Sequence, residues 1–298
     1  MTREPVDAWI AGARPDIEAA LADVIDGAGG GPLADAARYA LEAGGKRLRP
    51  ILCIAAYRAL GGNPSAPVYR LATSLELIHT YSLIHDDLPG MDDDPIRRGR
   101  PATHVAHGEA VATLAAAALI PLAARTVLDA GRTLGLDDAT VRTLVRTLCE
   151  AAGGGGMVGG QWLDLEAEGH GITLDELEAI HRRKTGALLA AAPVMGGLAA
   201  GADRDTRDAL AMYGSALGLA FQIADDILDV TGDTAVLGKT AGRDTELEKA
   251  TFPSLGGLDA ARRRARAEVE RALEALDTGG IRSDALAGLA RFAAARDR

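Results

Sequence analysis

Cysteine is nearly absent: the 298-residue chain carries two, Cys53 and Cys149. Neither stands at a metal-ligand spacing, and both lie in apolar sequence, so two buried, reduced thiols and a cytoplasmic chain are expected. Positive charge is also short. Lys and Arg number 32 against 42 Asp and Glu, giving a net charge of −10 and a pI near 5.1. Binding a nucleic-acid backbone needs a basic surface, so that class of partner is excluded. Residues 1–14 lack the basic-then-apolar pattern of a secretory leader. The longest apolar run, 110–124, contains Pro121 and lies between Glu109 and Arg125. It is too short to span a bilayer comfortably and reads as a buried helix, without stable membrane insertion. No stretch alternates apolar and polar residues over strand length, which leaves no signal for a sheet.

What remains is helix almost everywhere. Hydrophobic residues make up 48% of the chain, ample for a core, and Ala and Leu dominate. The pattern predicts helices over 6–25, 32–43, 50–60, 67–88, 105–130, 138–168, 174–200, 204–230, 258–275 and 283–295. Thr173-Leu-Asp-Glu176 reads as a capping box, and Pro32, Pro50 and Pro67 suit first helical turns. Gly44-Gly45, Gly61-Gly62 and Gly131 read as stops. The run Gly153 to Gly156 resists helix, because each glycine costs about 1 kcal/mol there relative to alanine; on residues alone it reads as a loop. The stretch 231–253 is charged, glycine-bearing and aperiodic, the mark of a long functional loop. No strong linker divides the chain, so one all-α domain over 1–298 is expected.

Two aspartate clusters stand out. Asp86-Asp87-Leu-Pro-Gly-Met-Asp92, with Asp93 and Asp94, ends one apolar segment; Asp225-Asp226-Ile-Leu-Asp229 ends another. Two unit charges ~4 Å apart repel by about 1 kcal/mol in water and about 4 at an effective dielectric of ~20. Keeping two such clusters makes sense if a cation sits between them, and an all-oxygen, carboxylate-rich site suits Mg²⁺. Asp225 and Asp229, four apart, share a helix face. Asp86 and Asp92 would point apart on an unbroken helix, but Pro89-Gly90 disfavours continuation and would let a widened turn bring Asp92 back. A lone Asp-Asp pair is most simply a solvated helix end; two triads after two apolar segments favour metal.

Cations complete the pattern. Lys46, Arg47 and Arg49 lie between a glycine stop and a helix start, Arg97-Arg98 follows the first acidic cluster, and His181-Arg-Arg-Lys184-Thr185 sits within a helix. Lys239 and Lys249 fall in the long loop. Singly, each is more often surface solubility; together with the carboxylates they suit diphosphate, Arg as a two-oxygen fork and Lys as a point charge.

These residues closely resemble the motifs of trans-isoprenyl diphosphate synthases. Ser82 to Pro101 resembles the family's first aspartate-rich motif and Phe221 to Asp229 its second. Gly45–Pro50, Gly159-Gly160-Gln161, Lys184-Thr185, Leu237-Gly238-Lys239 and Lys249–Pro253 match in order and spacing, so the resemblance covers almost the whole chain. It implies an all-α isoprenoid synthase-type bundle around a central cavity, a homodimer, and condensation of an allylic diphosphate with isopentenyl diphosphate, with three Mg²⁺ ions per site. By the resemblance, Asp86, Asp92 and Asp225 are direct metal ligands, and Asp87, Asp226 and Asp229 bind metal or its waters. Arg97, Lys184, Gln222 and Lys239 contact the allylic diphosphate, with Thr185 and Lys249 beside them; Lys46, Arg49, His79 and Arg98 hold isopentenyl diphosphate. It also turns the expectation for 138–168 from a loop at the glycine run to one helix with room for a kink.

Chain length must be set by what stops the hydrocarbon tail. Tyr81 lies five residues before Asp86, roughly 7–8 Å back along a helix at ~1.5 Å per residue, and Ser82 one turn back on its face. That pair, with a two-residue insertion in the first motif, is similar to bacterial farnesyl diphosphate synthases and points to a C15 rather than C20 product. There are departures. Leu114 to Leu119 reads Leu-Ala-Ala-Ala-Ala-Leu where the family carries Gly-Asp, as though a buried polar group were replaced. Phe252 stands where tyrosine is common, and Arg296 and Arg298 resemble the family's basic tail. Geranylgeranyl diphosphate synthase is the alternative. A class I terpene cyclase would lack the Gly45–Pro50 cluster, and a non-catalytic subunit would have lost aspartates.

Overall fold

The acidic clusters are positioned by two long helices, and the rest of the fold holds those helices against a shared central helix, α10 (Ala187–Ala199). The computed structural model describes residues 6–231 and 250–294. In order, helices α1 (Val6–Asp26), α2 (Pro32–Glu42), α3 (Leu48–Ala59) and α4 (Ala66–Asp86) precede a two-stranded hairpin, β1 (Ile96–Arg97) and β2 (Arg100–Pro101). Then come α5 (Thr103–His107), α6 (Glu109–Thr133), α7 (Asp138–Ala152), α8 (Met157–Ala167), α9 (Leu174–His181), a π-helical turn (Arg182–Gly186), α10 (Ala187–Ala199) and α11 (Arg204–Thr231). Beyond the undescribed stretch lie α12 (Phe252–Gly256), α13 (Leu258–Thr278) and α14 (Asp284–Ala294). The architecture is the expected all-α bundle. Lys239, Lys249, Arg296 and Arg298 lie outside the described residues.

α4 packs on α6, α3 and α1; α10 fills the centre against α3 and α11; α13 covers the far side of α11. The core is aliphatic, with Ile17, Ile51, Leu52, Ile54, Leu71, Leu75, Leu77 and Ile84 fully buried. Its large aromatic, Tyr213, meets the need of a buried hydroxyl by donating to the Leu286 carbonyl at 2.8 Å. Close crossings use glycine: a Cβ at Gly196 would strike the Cys53 carbonyl of α3, and one at Gly218 would lie 2.9 Å from the Gly186 Cα.

Several expectations are corrected: the 105–130 segment breaks at Gly108, and Gly131 lies inside α6 rather than ending it. The 138–168 segment is not one helix: α7 stops at Ala152 and α8 begins at Met157, because Gly153 (ψ −163°) and Gly156 (φ −118°, ψ −127°) leave helical geometry. Four successive glycines supply too little to hold the ladder there. The apolar run at 110–124 belongs to a 25-residue helix, α6, long and apolar enough by composition to cross a membrane. It is a bundle helix packed on α4, α2 and α7. It is not wholly buried: Leu114 is 57% exposed and Ile120 41%. Ala117, where the resemblance led us to expect a lost buried polar group, lies on that exposed face. Of the two thiols only Cys53 is buried; Cys149 is exposed on α7. The small hairpin had no strand-length signal.

Candidate active site

Both aspartate clusters open on one cavity of about 640 Å³, lined by Asp86 and Asp92 from one side and Asp225 and Asp226 from the other. A larger cavity of about 890 Å³ lies among α1, the start of α4 and the end of α6, lined by Asp16, Asp23, Arg70, Asp129 and Arg132. It holds none of the motif residues, so size does not identify the chemistry here.

The first cluster folds back as its Pro-Gly step requires. α4 ends at Asp86, and the Asp92 N–H donates to the Asp86 carbonyl at 2.9 Å, closing a widened turn that brings both carboxylates to the cavity. Asp93 takes a positive φ of 47° to complete it. Asp87 turns away from the cavity: Arg97 forks onto it, Nε donating at 2.9 Å. Burial pushes the Asp87 carboxyl up, against the pull of Arg97. Burial pushes Asp86 up to about 6; Lys184 and Arg97 hold it back while Asp92 and Asp87 add to the rise. Helix C-terminal carbonyls carry the negative end of the helix dipole and make that end worse still for anions.

On α11, Asp225 lines the cavity and Asp226 is already engaged. Its Oδ2 lies 3.1 Å from His181 Nε2 and accepts the Phe252 N–H at 3.0 Å, and its Oδ1 accepts from Gln222 Nε2 at 3.3 Å. Phe252 stacks on His181 with ring centres 5.7 Å apart. Asp229 is buried and is not part of the cavity wall. Of the six sequence candidates for metal, four therefore line the cavity, while Asp87 and Asp229 sit behind it.

The hairpin separates two adjacent arginines. Arg98 (φ 54°) and Gly99 (φ 73°) form its two-residue turn, the double positive φ of a type I′ turn. Arg97 swings to Asp87 and Arg98 to the other side, where it donates to the Gly44 carbonyl. There Gly45 (φ 130°) gives way to it: a Cβ would lie 2.7 Å from the Arg98 guanidinium. Arg98, Arg49 and His79 form a second cationic focus beside the cavity. Burial pulls Arg49 down to about 10, with Glu76 opposing and Arg98 assisting. Burial and the charges of Arg49, Arg98, Arg47 and Arg97 hold His79 well below its usual range, so it is neutral at pH 7. Lys46 is exposed nearby, its ammonium 5.7 Å from the Phe292 ring. Arg47 departs from its neighbours: fully buried, it bonds Glu18 through Nε (2.9 Å) and Nη2 (3.0 Å), Glu76 at 2.9 Å and the Leu41 carbonyl.

Lys184 and Thr185 reach the cavity from the π turn. Lys184 Nζ donates to Asp164 Oδ2 at 2.6 Å, and Thr185 Oγ1 to Gln222 Oε1 at 2.8 Å. The turn presses so close to α8 that a Cβ at Gly160 would collide with the Lys184 backbone. Tyr81 and Ser82 line the cavity one turn below Asp86, and Tyr81 packs on His85 with ring centres 5.7 Å apart.

Sequence reasoning noted Gln161 and His181 within motifs but gave them no role, and it passed over Asp164. Gln161 is buried at the wall, with both amide atoms lacking a hydrogen-bond partner among the described residues. The i, i+3 spacing of Gln161 and Asp164 after Gly160 was the available signal, since it sets both on one helix face. Nothing in the chain's spacing pairs His181 with Asp226, which is 45 residues away.

Among the described residues no three His, Cys, Asp or Glu side chains form a closed metal cage. Magnesium does not need one: it takes one or two carboxylates per ion and completes its shell with water and phosphate oxygen. Carboxylates on two facing walls, one carboxyl raised toward neutrality, form a donor set that fits it.

The residue model for polyprenyl synthetases matches residues 31–282. A farnesyl diphosphate synthase of Geobacillus stearothermophilus is 42% identical over 100% of both chains. A geranylgeranyl pyrophosphate synthase of Arabidopsis thaliana is 47% identical over 78% of this chain and 65% of its own. A Helicobacter pylori geranyltransferase, solved with magnesium and isoprenyl diphosphate, superposes with a TM-score of 0.78 at 34% identity, covering 88% of this chain and 86% of that one. The chain belongs to the polyprenyl synthetase family. It is a prenyltransferase of the short-chain trans type.

Asp86 is easier to protonate folded than unfolded, so its share of stability is complete below its ordinary value of 3.8 and lost as pH rises through about 6. In metal-free protein, Asp86→Asn should therefore stabilise by on the order of 2–3 kcal/mol at pH 8. Melting curves at pH 4.5 and 8 should show the gain growing with pH; a gain independent of pH contradicts the burial argument.

Proposed function

We propose that the chain joins an allylic diphosphate, dimethylallyl or geranyl, to isopentenyl diphosphate and releases farnesyl diphosphate. The observation that carries this reading is two carboxylate clusters and two cationic foci meeting at one cavity with apolar walls. Asp86, Asp92 and Asp225 would hold Mg²⁺, with Asp226 beside them at the wall and Asp87 and Asp229 behind, binding the metal or its waters. When bound, magnesium supplies the charge that neutralises a leaving diphosphate. Arg97 and Lys184, each now engaged with a carboxylate, would turn to the allylic diphosphate; Lys239 and Lys249 would join them. Lys46, Arg49, His79 and Arg98 would seat isopentenyl diphosphate, neutral His79 donating a hydrogen bond.

Cleavage of the allylic C1–O bond leaves an allylic cation, and the electron pair departs with diphosphate. Met91, Met157, Leu165 and Phe221 line the space where that cation forms and exclude water. The Thr185–Gln222–Asp226 chain of hydrogen bonds fixes polar groups beside it without offering a nucleophile. The isopentenyl double bond attacks C1, and the proton then lost goes to the released diphosphate, so no side chain is needed as general base. Supplying dimethylallyl and isopentenyl diphosphates with Mg²⁺ should give a C15 diphosphate by mass spectrometry. Tyr81→Ala should lengthen it; an unchanged product would refute Tyr81 as the floor, and a C20 product from the native chain would favour the geranylgeranyl reading.

The exposed stripe of α6 supports a homodimer. Ala110, Leu114, Ala117 and Pro121 recur at helical spacing on the solvent side, the pattern of a helix face awaiting a partner. Nothing in the sequence calls for residence outside the cytoplasm. Leu114→Glu should halve the mass measured by light scattering; a native chain that is already monomeric would exclude the dimer.

A further inference from the structure

α13 contributes nothing to the cavity wall, yet it buries a carboxylate completely, that of Glu268. Three guanidinium groups converge on its Oε1: Arg264 at 2.7 Å, Arg271 at 3.0 Å and Arg182 at 3.6 Å. Arg264 also forks onto Glu178 of α9, at 2.8 and 2.9 Å. Arg182 is the hub. It is the first residue of the π turn, and it reaches Glu178 at 3.5 Å, Glu268 at 3.6 Å and the Ser215 hydroxyl of α11 at 3.3 Å. One side chain thus ties the turn to three helices.

Buried ion pairs are weak stabilisers, because desolvation consumes most of what the charges gain. A buried carboxylate among arginines is better explained by what it holds in place. What it holds is an uncommon geometry. A π turn widens the helix by one residue, is disfavoured alone, and persists where its surroundings over-determine it. Gly160 of α8 and Gly218 of α11 press the turn from two sides; Arg182 draws it outward on a third. Two and three residues on, Lys184 and Thr185 line the cavity, while Arg182 does not. Relaxation to an α turn would rotate those side chains by about 100° relative to the flanking helix.

We propose that Arg182 and Glu268 are positioning residues that hold the π turn in the register presenting Lys184 and Thr185 to the allylic diphosphate. The inference deepens the prenyltransferase reading and rests on it for the substrate, but not for the geometry. The distinction matters for the test. Isopentenyl diphosphate would be held by α3, α4 and the hairpin, none of which the bracket touches.

The test compares Arg182→Met, Glu268→Gln and Arg182→Lys with the native chain, well below their melting temperatures. Arg182→Met and Glu268→Gln should lower kcat between about tenfold and a hundredfold. They should raise KM for dimethylallyl diphosphate and leave KM for isopentenyl diphosphate unchanged. Arg182→Lys should recover most of the rate. Hydrogen exchange should quicken in residues 182–190 and stay native in α4. Lowered melting temperature with native kinetics and native exchange at 182–190 would overturn the proposal, as would both KM values rising together. If the native chain itself fails to turn over, the prenyltransferase reading falls, and the exchange pattern alone then decides whether the bracket holds the turn.

Discussion

Mutual repulsion between carboxylates on facing helices is the constraint around which this molecule is arranged. Asp86 and Asp92 on one wall and Asp225 and Asp226 on the other face a single cavity, close to the negative ends of α4 and α11. Without compensation that arrangement costs free energy; on the α4 side burial pushes the Asp86 carboxyl up, and its neighbours Asp92 and Asp87 add to the rise. The resting protein offsets the cost in two ways. Asp87 is neutralised by Arg97, and Asp226 is enclosed by His181, Gln222 and the Phe252 N–H. Asp86, Asp92 and Asp225 line the cavity, where a divalent cation would offset their charge.

Sorting of the basic residues follows from the same constraint. The type I′ turn sends Arg97 toward the acidic cluster and Arg98 toward the Gly44–Gly45 backbone, so neighbours in sequence part to opposite sides of the hairpin. Arg47 is withdrawn into a buried pairing with Glu18 and Glu76, which fixes the turn carrying Lys46 and Arg49. A π turn sets Lys184 against Asp164. Arg97 and Lys184 are each held by a carboxylate, Asp87 and Asp164, that an incoming diphosphate could replace.

Much of this was legible in the sequence, for reasons that can be named. The helices follow from Ala- and Leu-rich periodicity, and the capping box at Thr173 forms as its residues require. The return of Asp92 to Asp86 follows from Pro89-Gly90. The glycine run at 153–156 was a conflict between the residues, which favoured a loop, and the resemblance, which favoured helix; the residues were right. The hairpin escaped because two-residue strands have no periodicity, although Arg98-Gly99 is chemistry suited to its turn. The pairings of His181, Asp164 and Glu268 escaped because their partners lie across the fold. A spacing rule reaches one or two helical turns, whereas His181 meets Asp226 only once α9 and α11 are packed.

The most direct measurement is calorimetric binding of an unreactive allylic thiodiphosphate with and without Mg²⁺. Binding should tighten by at least about an order of magnitude with the metal, and Asp86→Ala or Asp225→Ala should each abolish that gain. Equal affinity with and without magnesium, or a metal response that survives loss of either aspartate, would contradict a shared metal–diphosphate site between the two acidic walls.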